Sequence, residues 1–365
     1  MYNVLTLNKI AACGTDLLDK SKYTVTDDAA ANADAILVRS ASMHEMELPG
    51  NLLAIARAGA GVNNIPIDKC TEKGVVVFNT PGANANAVKE LVIAGLLLSS
   101  RKIPAAMDWI KTLKGKGDEV GKLVEKGKSQ FVGPEIMGKK LGVIGLGAIG
   151  ILVANAAAEL GMDVYGADPY LSVENALKLS GKVHYVKSNK EIFEKCDYIT
   201  LHVPALPDTK GMINAEAIAS MKKTVRLLNF ARDTLVDEKA IIDALANGGM
   251  ACYVTDFATD GLIGLDGVVA MPHLGASTPE SEDNCAVMAV REIVDYIENG
   301  NIRNSVNLPN VEMAISGNAK ICVIHKNAEG LLNNITAPVS AAGLNIENMV
   351  SKSKKDYAYT CLDVK

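Results

Sequence analysis

The stretch that decides the fold is 139–169, which reads KKLGVIGLGAIGILVANAAAELGMDVYGADP. An apolar run over 141–144 is typical of a buried strand, and a six-residue segment with three glycines separates it from a helical pattern. A second strand pattern, over 163–167, ends at Asp168. Strand, glycines, helix, strand and terminal acid in this order predict a βαβ unit that binds a dinucleotide.

The three glycines of this segment have separate predicted roles. Gly145 permits a tight turn, Gly147 lets the backbone approach a pyrophosphate, and Gly150 lets the helix pack closely on the strand. The N–H groups at the start of the helix, including those of Ala148 and Ile149, would face the phosphates. The alternative is that these glycines form only a tight turn between strand and helix.

Asp168 predicts which dinucleotide is bound. It lies eighteen residues beyond Gly150, where its carboxylate would accept hydrogen bonds from the adenosine ribose. No arginine follows it to hold a 2′-phosphate. The sequence therefore favours NAD over NADP.

Composition narrows the class of protein. The 365 residues are enough for two or three domains, and a net charge of −5 creates no field that attracts nucleic acid or an acidic membrane. An anionic substrate must therefore be held by local positive groups. The seven cysteines form no CxxC pair, which favours reduced, buried thiols. With no signal peptide and no membrane-spanning run, we expect a cytoplasmic protein with no nucleic-acid or membrane partner.

Strand and helix patterns divide the chain into three parts. The predicted fold class is α/β, with two doubly wound parallel-sheet domains, one Rossmann and one flavodoxin-like, and a partial βαββ tail. We predict the substrate-binding domain at 1–95 and 280–308, the NAD-binding domain at 96–279, and the tail at 318–365. The first domain has predicted strands at 3–7, 35–39, 54–57 and 75–79.

Ligands of an open parallel sheet bind beyond the carboxyl ends of its strands, so residues at those positions are candidates for the site. They are Pro204, Arg232, Asp256 and His273. Three segments that read LNFAR (228–232), MPHLGAST (271–278) and RAGAGVNN (57–64), together with the glycine motif, resemble the D-2-hydroxyacid dehydrogenase family.

The resemblance covers about residues 1–308. It implies two similar α/β domains with the active site in the cleft between them. The pattern is most like the branch that oxidises 3-phosphoglycerate to 3-phosphohydroxypyruvate, the first step of L-serine biosynthesis. A homodimer or homotetramer would be in keeping with that family.

The required chemistry suits these residue types. Hydride transfer from C2 of a hydroxy acid needs a base for the hydroxyl proton, and an imidazole such as His273 serves in both directions. The forked donors of Arg232 can bind the substrate carboxylate and polarise the C2 oxygen. Backbone N–H groups of Ala60, Gly61 and Val62 would hold the same carboxylate.

The resemblance assigns further contacts. It implies that Asp256 contacts the nicotinamide carboxamide and that Pro204, Ala231 and Gly275 also line the cofactor site. Arg39 and Ser40 match a phosphate-contacting pair, and Asn84 matches a substrate-contacting residue. Arg39 could equally be a surface residue.

One acid of the family pattern is missing. The family places a glutamate a few residues after the strand-end aspartate, where it orients the catalytic histidine, and that position falls on Gly261. Asp260 is adjacent but one carbon shorter, and we predict it as a partial substitute. Asp233 also replaces the glycine that usually follows the arginine.

The tail resembles an ACT regulatory domain without its final helix and strand. His325, Asn327 and Asn345 fall at positions that hold an L-serine effector in the family. These polar residues could instead be capping residues. For the whole chain, two alternatives also stay open: a reductase of glyoxylate, hydroxypyruvate or another small 2-oxo acid, and an NAD-sensing protein with weak chemistry.

Overall fold

The computed structural model describes residues 1–28 and 32–365. They form two compact units, which we call the first unit, Met1–Asn84 with Thr278–Lys365, and the second unit, Ala85–Ser277. The predicted domain boundaries at 95 and 279 stay predictions. The structure itself places the whole of the long helix that begins at Ala85 in the second unit and groups the tail with the first unit.

The strands, in chain order, are β1 Tyr2–Leu7, β2 Tyr23–Thr26, β3 Ala35–Val38, β4 Ala54–Arg57, β5 Val76–Asn79, β6 Lys140–Ile144, β7 Asp163–Ala167, β8 His184–Tyr185, β9 Tyr198–Leu201, β10 Arg226–Asn229, β11 Cys252–Thr255, β12 Val268–Ala270, β13 Ala319–Lys326, β14 Ile346–Lys354 and β15 Tyr357–Val364. The helices are α1 Ala12–Thr15, α2 Ile67–Glu72, α3 Ala85–Arg101, α4 Ile103–Lys111, α5 Val120–Gly127, α6 Ala148–Glu159, α7 Val173–Lys178, α8 Asn189–Lys195, α9 Ala215–Ala219, α10 Glu238–Ala246, α11 Pro279–Asn299 and α12 Leu331–Ala341.

The first unit is built on a parallel five-stranded sheet with the order β2-β1-β3-β4-β5. Successive residues of β3 enter opposite cores, Leu37 packing with α11 and Ile36 with the other face, because side chains alternate along a strand. Helix α11 begins at a Thr278 cap whose hydroxyl accepts from the Ser281 N–H, and it ends at left-handed Gly300. This strand order is the flavodoxin-like one.

The second unit is built on a parallel seven-stranded sheet with the order β12-β11-β10-β9-β6-β7-β8. Its first strand, β6, lies between β7 and β9, so the chain reverses direction across the sheet at this point. Ligands of doubly wound sheets bind beyond the carboxyl ends of the strands at such a switch point. The predicted α/β class with two doubly wound sheets is confirmed.

The tail is an antiparallel sheet with the order β13-β15-β14, with α12 between β13 and β14. This is the βαββ arrangement predicted from the sequence. Tyr359 and Cys361 of β15 pack in the first unit's core beside Ile302. Pro338 lies inside α12.

Several elements were not predicted from the sequence, among them β2 and α5. The edge strand β2 has two consecutive exposed residues, Thr24 and Val25, and so lacks the alternating apolar pattern of a half-buried strand. The charged, glycine-rich segment at 115–133 contains α5, whose apolar residues are only half-buried. None of the helices in the described ranges is long and apolar enough to cross a membrane.

Candidate active site

The glycine turn of the second unit has the geometry that a phosphate cradle needs. Gly145 has a φ of +94°, which favours glycine, and its N–H donates to the Ala167 carbonyl at 2.8 Å. A Cβ on Gly150 would overlap the carbonyl oxygen of Gly145. At Gly147, by contrast, an added Cβ would have no described heavy atom within 4 Å. The backbone is therefore open to a ligand at Gly147.

Helix α6 begins at this opening. Its N-cap residue, Gly147, offers no side-chain cap, so the first N–H groups, among them those of Ala148 and Ile149, lack an intrahelical acceptor. These N–H groups and the helix dipole favour an anion. The residues present thus fit the pyrophosphate of a dinucleotide.

Asp168 ends β7 and binds the glycine turn. One carboxylate oxygen accepts from the Leu146 N–H at 2.9 Å, and the other accepts from the Tyr170 N–H at 2.8 Å. Each oxygen keeps a further lone pair, so Asp168 can still accept from ribose hydroxyls. The two backbone hydrogen bonds hold the carboxylate in one orientation.

His202 lies beneath the same turn and was missed by the sequence reasoning. The His202 Cβ lies 3.5 Å from the position that a Cβ on Gly150 would occupy. The His202 Nε2 shares a hydrogen bond of 2.9 Å with the Thr200 hydroxyl. Burial lowers the pKa of His202 to about 3, so the ring is neutral at physiological pH. Its place directly after an apolar strand was the available signal.

The predicted cofactor contact Asp256 follows β11, and the predicted base His273 follows β12. His273 is exposed, and the Phe257 ring lies edge-on to its imidazole with 5.0 Å between the centroids. Asp256 is only 3% exposed, and neither of its carboxylate oxygens has a hydrogen-bond partner among the described residues. Burial raises the pKa of the Asp256 carboxyl, and the nearby imidazole of His273, the backbone N–H groups of Asp256 and Gly275 and the Arg232 guanidinium oppose that shift.

Arg232 follows β10 on a turn that Asn229 fixes. The Asn229 side chain accepts from the Ala231 N–H at 3.2 Å and donates to the Arg232 carbonyl at 2.8 Å. The guanidinium of Arg232 is exposed and donates to the Ala231 carbonyl at 2.6 Å. Most of its donors therefore remain available to a carboxylate.

Asp260 is exposed, and its carboxylate makes no hydrogen bond or ion pair within residues 1–28 and 32–365. The neighbouring position is crowded, because a Cβ on Gly261 would lie 2.7 Å from a carboxylate oxygen of Glu238. Glu238 also accepts from the Thr259 hydroxyl at 3.0 Å. A glutamate introduced at Gly261 would thus begin beside a like charge.

The first unit gathers positive charge around its glycine loop. The Arg57 Nε donates to the Arg39 carbonyl at 3.0 Å, and Cβ atoms on Gly59 and Gly61 would lie 2.8 and 3.4 Å from Arg57 Nη1. Arg39 itself forms an ion pair of 2.8 Å with Glu282, and both side chains are partly exposed. Arg57 and Glu282 were not predicted as site residues.

The remaining candidates of the first unit lie around this loop. The Ala60 carbonyl accepts from the Asn79 side chain at 2.6 Å, while Val62 packs on the core. The Ser40 N–H donates to the Asn8 side chain at 3.0 Å. Asn84 is half-buried and is the last residue of the N-terminal segment of the first unit.

Two other cofactor candidates lie in the second unit. The Pro204 carbonyl accepts from the Thr209 hydroxyl at 2.6 Å. A Cβ on Gly275 would lie 3.7 Å from a carboxylate oxygen of Asp256. A larger residue at Gly275 would therefore narrow the space beside that carboxylate.

The predicted effector residues are not all brought together. His325 and Asn327 line a cavity of about 220 Å³ in the tail, but both ring nitrogens of His325 are engaged, by Thr360 and by the Lys326 carbonyl. Asn345 is elsewhere, since its side chain donates to Glu347 and its backbone pairs with Lys365. The assignment of His325, Asn327 and Asn345 to an L-serine effector therefore stays a prediction.

Comparisons with known proteins agree with this geometry. A sequence profile for the NAD-binding domain of D-isomer specific 2-hydroxyacid dehydrogenases matches residues 93–275. The chain is 32% identical over 379 residues to a D-3-phosphoglycerate dehydrogenase of Bacillus subtilis, an alignment that covers 98% of this chain and 69% of that protein. It is 40% identical over 260 residues to the enzyme of that name from Mycobacterium tuberculosis, of which 47% is covered, as is 69% of this chain.

A solved structure is also similar. The NAD⁺-bound 3-phosphoglycerate dehydrogenase of Entamoeba histolytica is 27% identical, with a TM-score of 0.66 over 84% of this chain and 98% of that one. The predicted cofactor, NAD, is confirmed by the match to the NAD-binding domain. The chain belongs to the D-isomer specific 2-hydroxyacid dehydrogenase family.

Proposed function

We propose that this protein catalyses the NAD-dependent oxidation of 3-phosphoglycerate to 3-phosphohydroxypyruvate, the first step of L-serine biosynthesis. The observation that carries this proposal is the pair of arginines, Arg39 and Arg57, at the glycine loop of the first unit. A substrate with a carboxylate and a phosphate needs more positive groups than a simple 2-hydroxy acid does. The names of the similar proteins support the same choice.

His273 is proposed as the acid–base residue. Its exposed imidazole would take the C2 hydroxyl proton, and NAD, when bound, would supply the hydride acceptor. The Phe257 ring limits the rotation of that imidazole, since it lies against one edge. Arg232 would bind the carboxylate and draw electron density from the C2 oxygen through its available donors.

Asp256 is proposed to orient the nicotinamide. Neither of its two buried oxygens has a well-formed hydrogen bond from the described residues, and burying a carboxylate without such bonds is costly. A carboxamide N–H donor would satisfy one of them. Gly275, whose Cβ position is 3.7 Å from Asp256 Oδ2, keeps this side of the carboxylate accessible.

Arg39 is proposed to bind the substrate phosphate. Its ion pair with Glu282 must open for this to happen. Such a partly exposed pair is worth only about 0–1 kcal/mol, whereas a bidentate arginine–phosphate contact is stronger. The exchange of Glu282 for phosphate is therefore favourable. The N–H of Ser40 is engaged by Asn8, so its hydroxyl is the group left for the phosphate.

Two variants of Arg39 test the phosphate assignment. Arg39→Gln should lower kcat/KM for 3-phosphoglycerate by about 10- to 100-fold, the loss of one or two charge-assisted hydrogen bonds, and leave D-glycerate almost unchanged. Arg39→Lys is the matched control, because it keeps the charge but not the bidentate fork. Its kcat/KM for 3-phosphoglycerate should lie between those of the wild type and of Arg39→Gln. Equal losses with both substrates would contradict the assignment.

The ion pair with Glu282 also favours a second candidate function. If Arg39 only stabilises Glu282, the substrate would carry no phosphate, and the protein would reduce glyoxylate, hydroxypyruvate or another small 2-oxo acid. In that case Arg39→Gln would change the free energy of unfolding but not substrate preference. Steady-state rates with both substrate classes separate the two functions.

Regulation and assembly are part of the proposal. Asn345 lies apart from the cavity that His325 and Asn327 line. An L-serine effector bound in that cavity would therefore need hydrogen-bond donors other than Asn345. We expect a homodimer or homotetramer in the cytoplasm. Sedimentation in the presence and absence of L-serine would measure the oligomeric state and any effect of the effector on it.

A further inference from the structure

Two cysteines of the tail lie directly opposite each other on neighbouring strands. Cys322 of β13 is paired in register with Cys361 of β15, and their Sγ atoms are 3.7 Å apart. The sequence analysis predicted only buried thiols, but Cys322 is exposed while Cys361 is fully buried. No other cysteine pair within the described ranges is this close.

The strand register puts this pair where a disulfide can form. The Asn327 N–H donates to the Asp356 carbonyl at 2.8 Å, which makes that pair of residues a hydrogen-bonded one. The register is continuous from there, and hydrogen-bonded pairs alternate with non-hydrogen-bonded pairs along an antiparallel ladder. Cys322 and Cys361 lie an odd number of residue pairs along the ladder from Asn327 and Asp356, so they form a non-hydrogen-bonded pair. The Cα atoms of such a pair are about 4.5 Å apart. That separation lies within the range that a disulfide spans.

The surroundings of Cys322 favour its thiolate. Hydrogen bonding with Cys361 lowers the pKa of Cys322 to about 6, with smaller contributions from Tyr359 and from the Lys320 ammonium, while burial of the sulfur opposes the shift. Lys320 is fixed near it by hydrogen bonds to the carbonyls of Asn299 and Met313, at 2.6 and 2.8 Å. A thiolate on an exposed residue, beside a second cysteine, is the arrangement of redox-sensitive sites.

We propose that Cys322 and Cys361 form a reversible disulfide when the protein meets hydrogen peroxide. The Cys322 thiolate attacks one peroxide oxygen, and the O–O bond breaks with hydroxide as the leaving group. Cys322 is then a sulfenic acid. The Cys361 sulfur then attacks the Cys322 sulfur, forming the S–S bond and releasing the second oxygen as water. Two thiols and one peroxide thus give one disulfide and two waters.

The division of roles follows from exposure. Cys322 lies on the edge strand β13 and meets the oxidant, whereas Cys361 lies on the central strand β15 and can react only with its neighbour. The cross-link would join these strands covalently without changing their register, because the two residues are already opposite.

The test is peroxide treatment of the full chain, followed by alkylation and non-reducing peptide mapping by mass spectrometry. We expect a linked peptide that contains Cys322 and Cys361 and that disappears with dithiothreitol. In Cys361→Ser, Cys322 should stop at a sulfenic acid that dimedone traps. In Cys322→Ser, the cross-link should be absent and Cys361 should remain a thiol. Cys13→Ser, which removes the other exposed cysteine, is the matched control and should cross-link as the wild type does.

Wild-type protein alone can overturn the proposal. If peroxide leaves Cys322 unmodified, or oxidises it to sulfinic acid without a link to Cys361, the two sulfurs do not act as a pair. A dithiothreitol-sensitive link at Cys361 in Cys322→Ser would also overturn it, because Cys361 would then react without Cys322. Circular dichroism of each variant checks that the fold is retained.

Discussion

Two glycine-to-alanine substitutions, three residues apart in sequence, separate cofactor binding from folding. At Gly147 an added methyl would enter open space, and the backbone angles of φ −77° and ψ −163° are ones that alanine adopts. At Gly150 the same methyl would overlap the backbone carbonyl of Gly145. The two variants are therefore matched in chemistry and opposite in expected consequence.

The magnitudes differ accordingly. Gly147→Ala should change the free energy of unfolding by less than about 1 kcal/mol, because reduced freedom of the unfolded chain offsets a poorer N-cap. Its methyl would displace the pyrophosphate from the N–H groups of α6, and one lost charge-assisted hydrogen bond costs about 1.5–3 kcal/mol, or roughly 10- to 150-fold in NADH affinity. Gly150→Ala should lose about 1–3 kcal/mol of stability or more, since backbone must move.

The assay is a fluorescence titration with NADH for each variant, paired with urea unfolding. If Gly147→Ala binds NADH as tightly as the wild type does, the open space at Gly147 is not where the phosphates lie. If Gly150→Ala unfolds at the same urea concentration as the wild type, the contact of residue 150 with the Gly145 carbonyl does not limit the packing of α6.

Three further predictions concern single side chains. Asp168→Ala should reduce the preference for NADH over NADPH, because the carboxylate that repels a 2′-phosphate is removed; wild-type protein that uses both equally would contradict this role. His273→Gln should lower turnover by about 10²- to 10⁴-fold with NADH affinity little changed, and a variant with most of its turnover would exclude His273 as the base. Glu292 is 7% exposed, and burial raises its pKa to about 8 from 4.5, so its folded state holds a proton that the unfolded chain releases. Wild-type stability should therefore fall relative to Glu292→Gln between about pH 4.5 and 8, which urea unfolding across that range measures; parallel curves would show that Glu292 ionises normally.

The two parallel sheets could be predicted from the sequence because their strands are short apolar runs that end at glycine, proline or a polar residue. Strand β3, with all four residues buried, is the clearest case. Strand β2 was missed because it lies at an edge and only Tyr23 is fully buried. Helix α5 was missed because its charged and glycine residues obscure its pattern.

Site residues were predictable where the chemistry lies in one local motif. The glycine turn and Asp168 are such a case, since the turn, helix start and acid follow one another along the chain. The ion pair of Arg39 with Glu282 joins residues far apart in sequence, so no local pattern could indicate it. The crowding of Gly261 by Glu238 is of the same kind, because it depends on how α10 packs on the loop after β11.

We propose that the protein oxidises a phosphorylated 2-hydroxy acid with NAD. A comparison of initial rates tests this, with NADH formation measured from 3-phosphoglycerate and from D-glycerate and NADH consumption measured on glyoxylate and hydroxypyruvate. We expect the highest kcat/KM with 3-phosphoglycerate and a large loss with D-glycerate, which differs only by the phosphate. Equal efficiency with both, or tight NADH binding with no turnover on any of the four compounds, would contradict the claim.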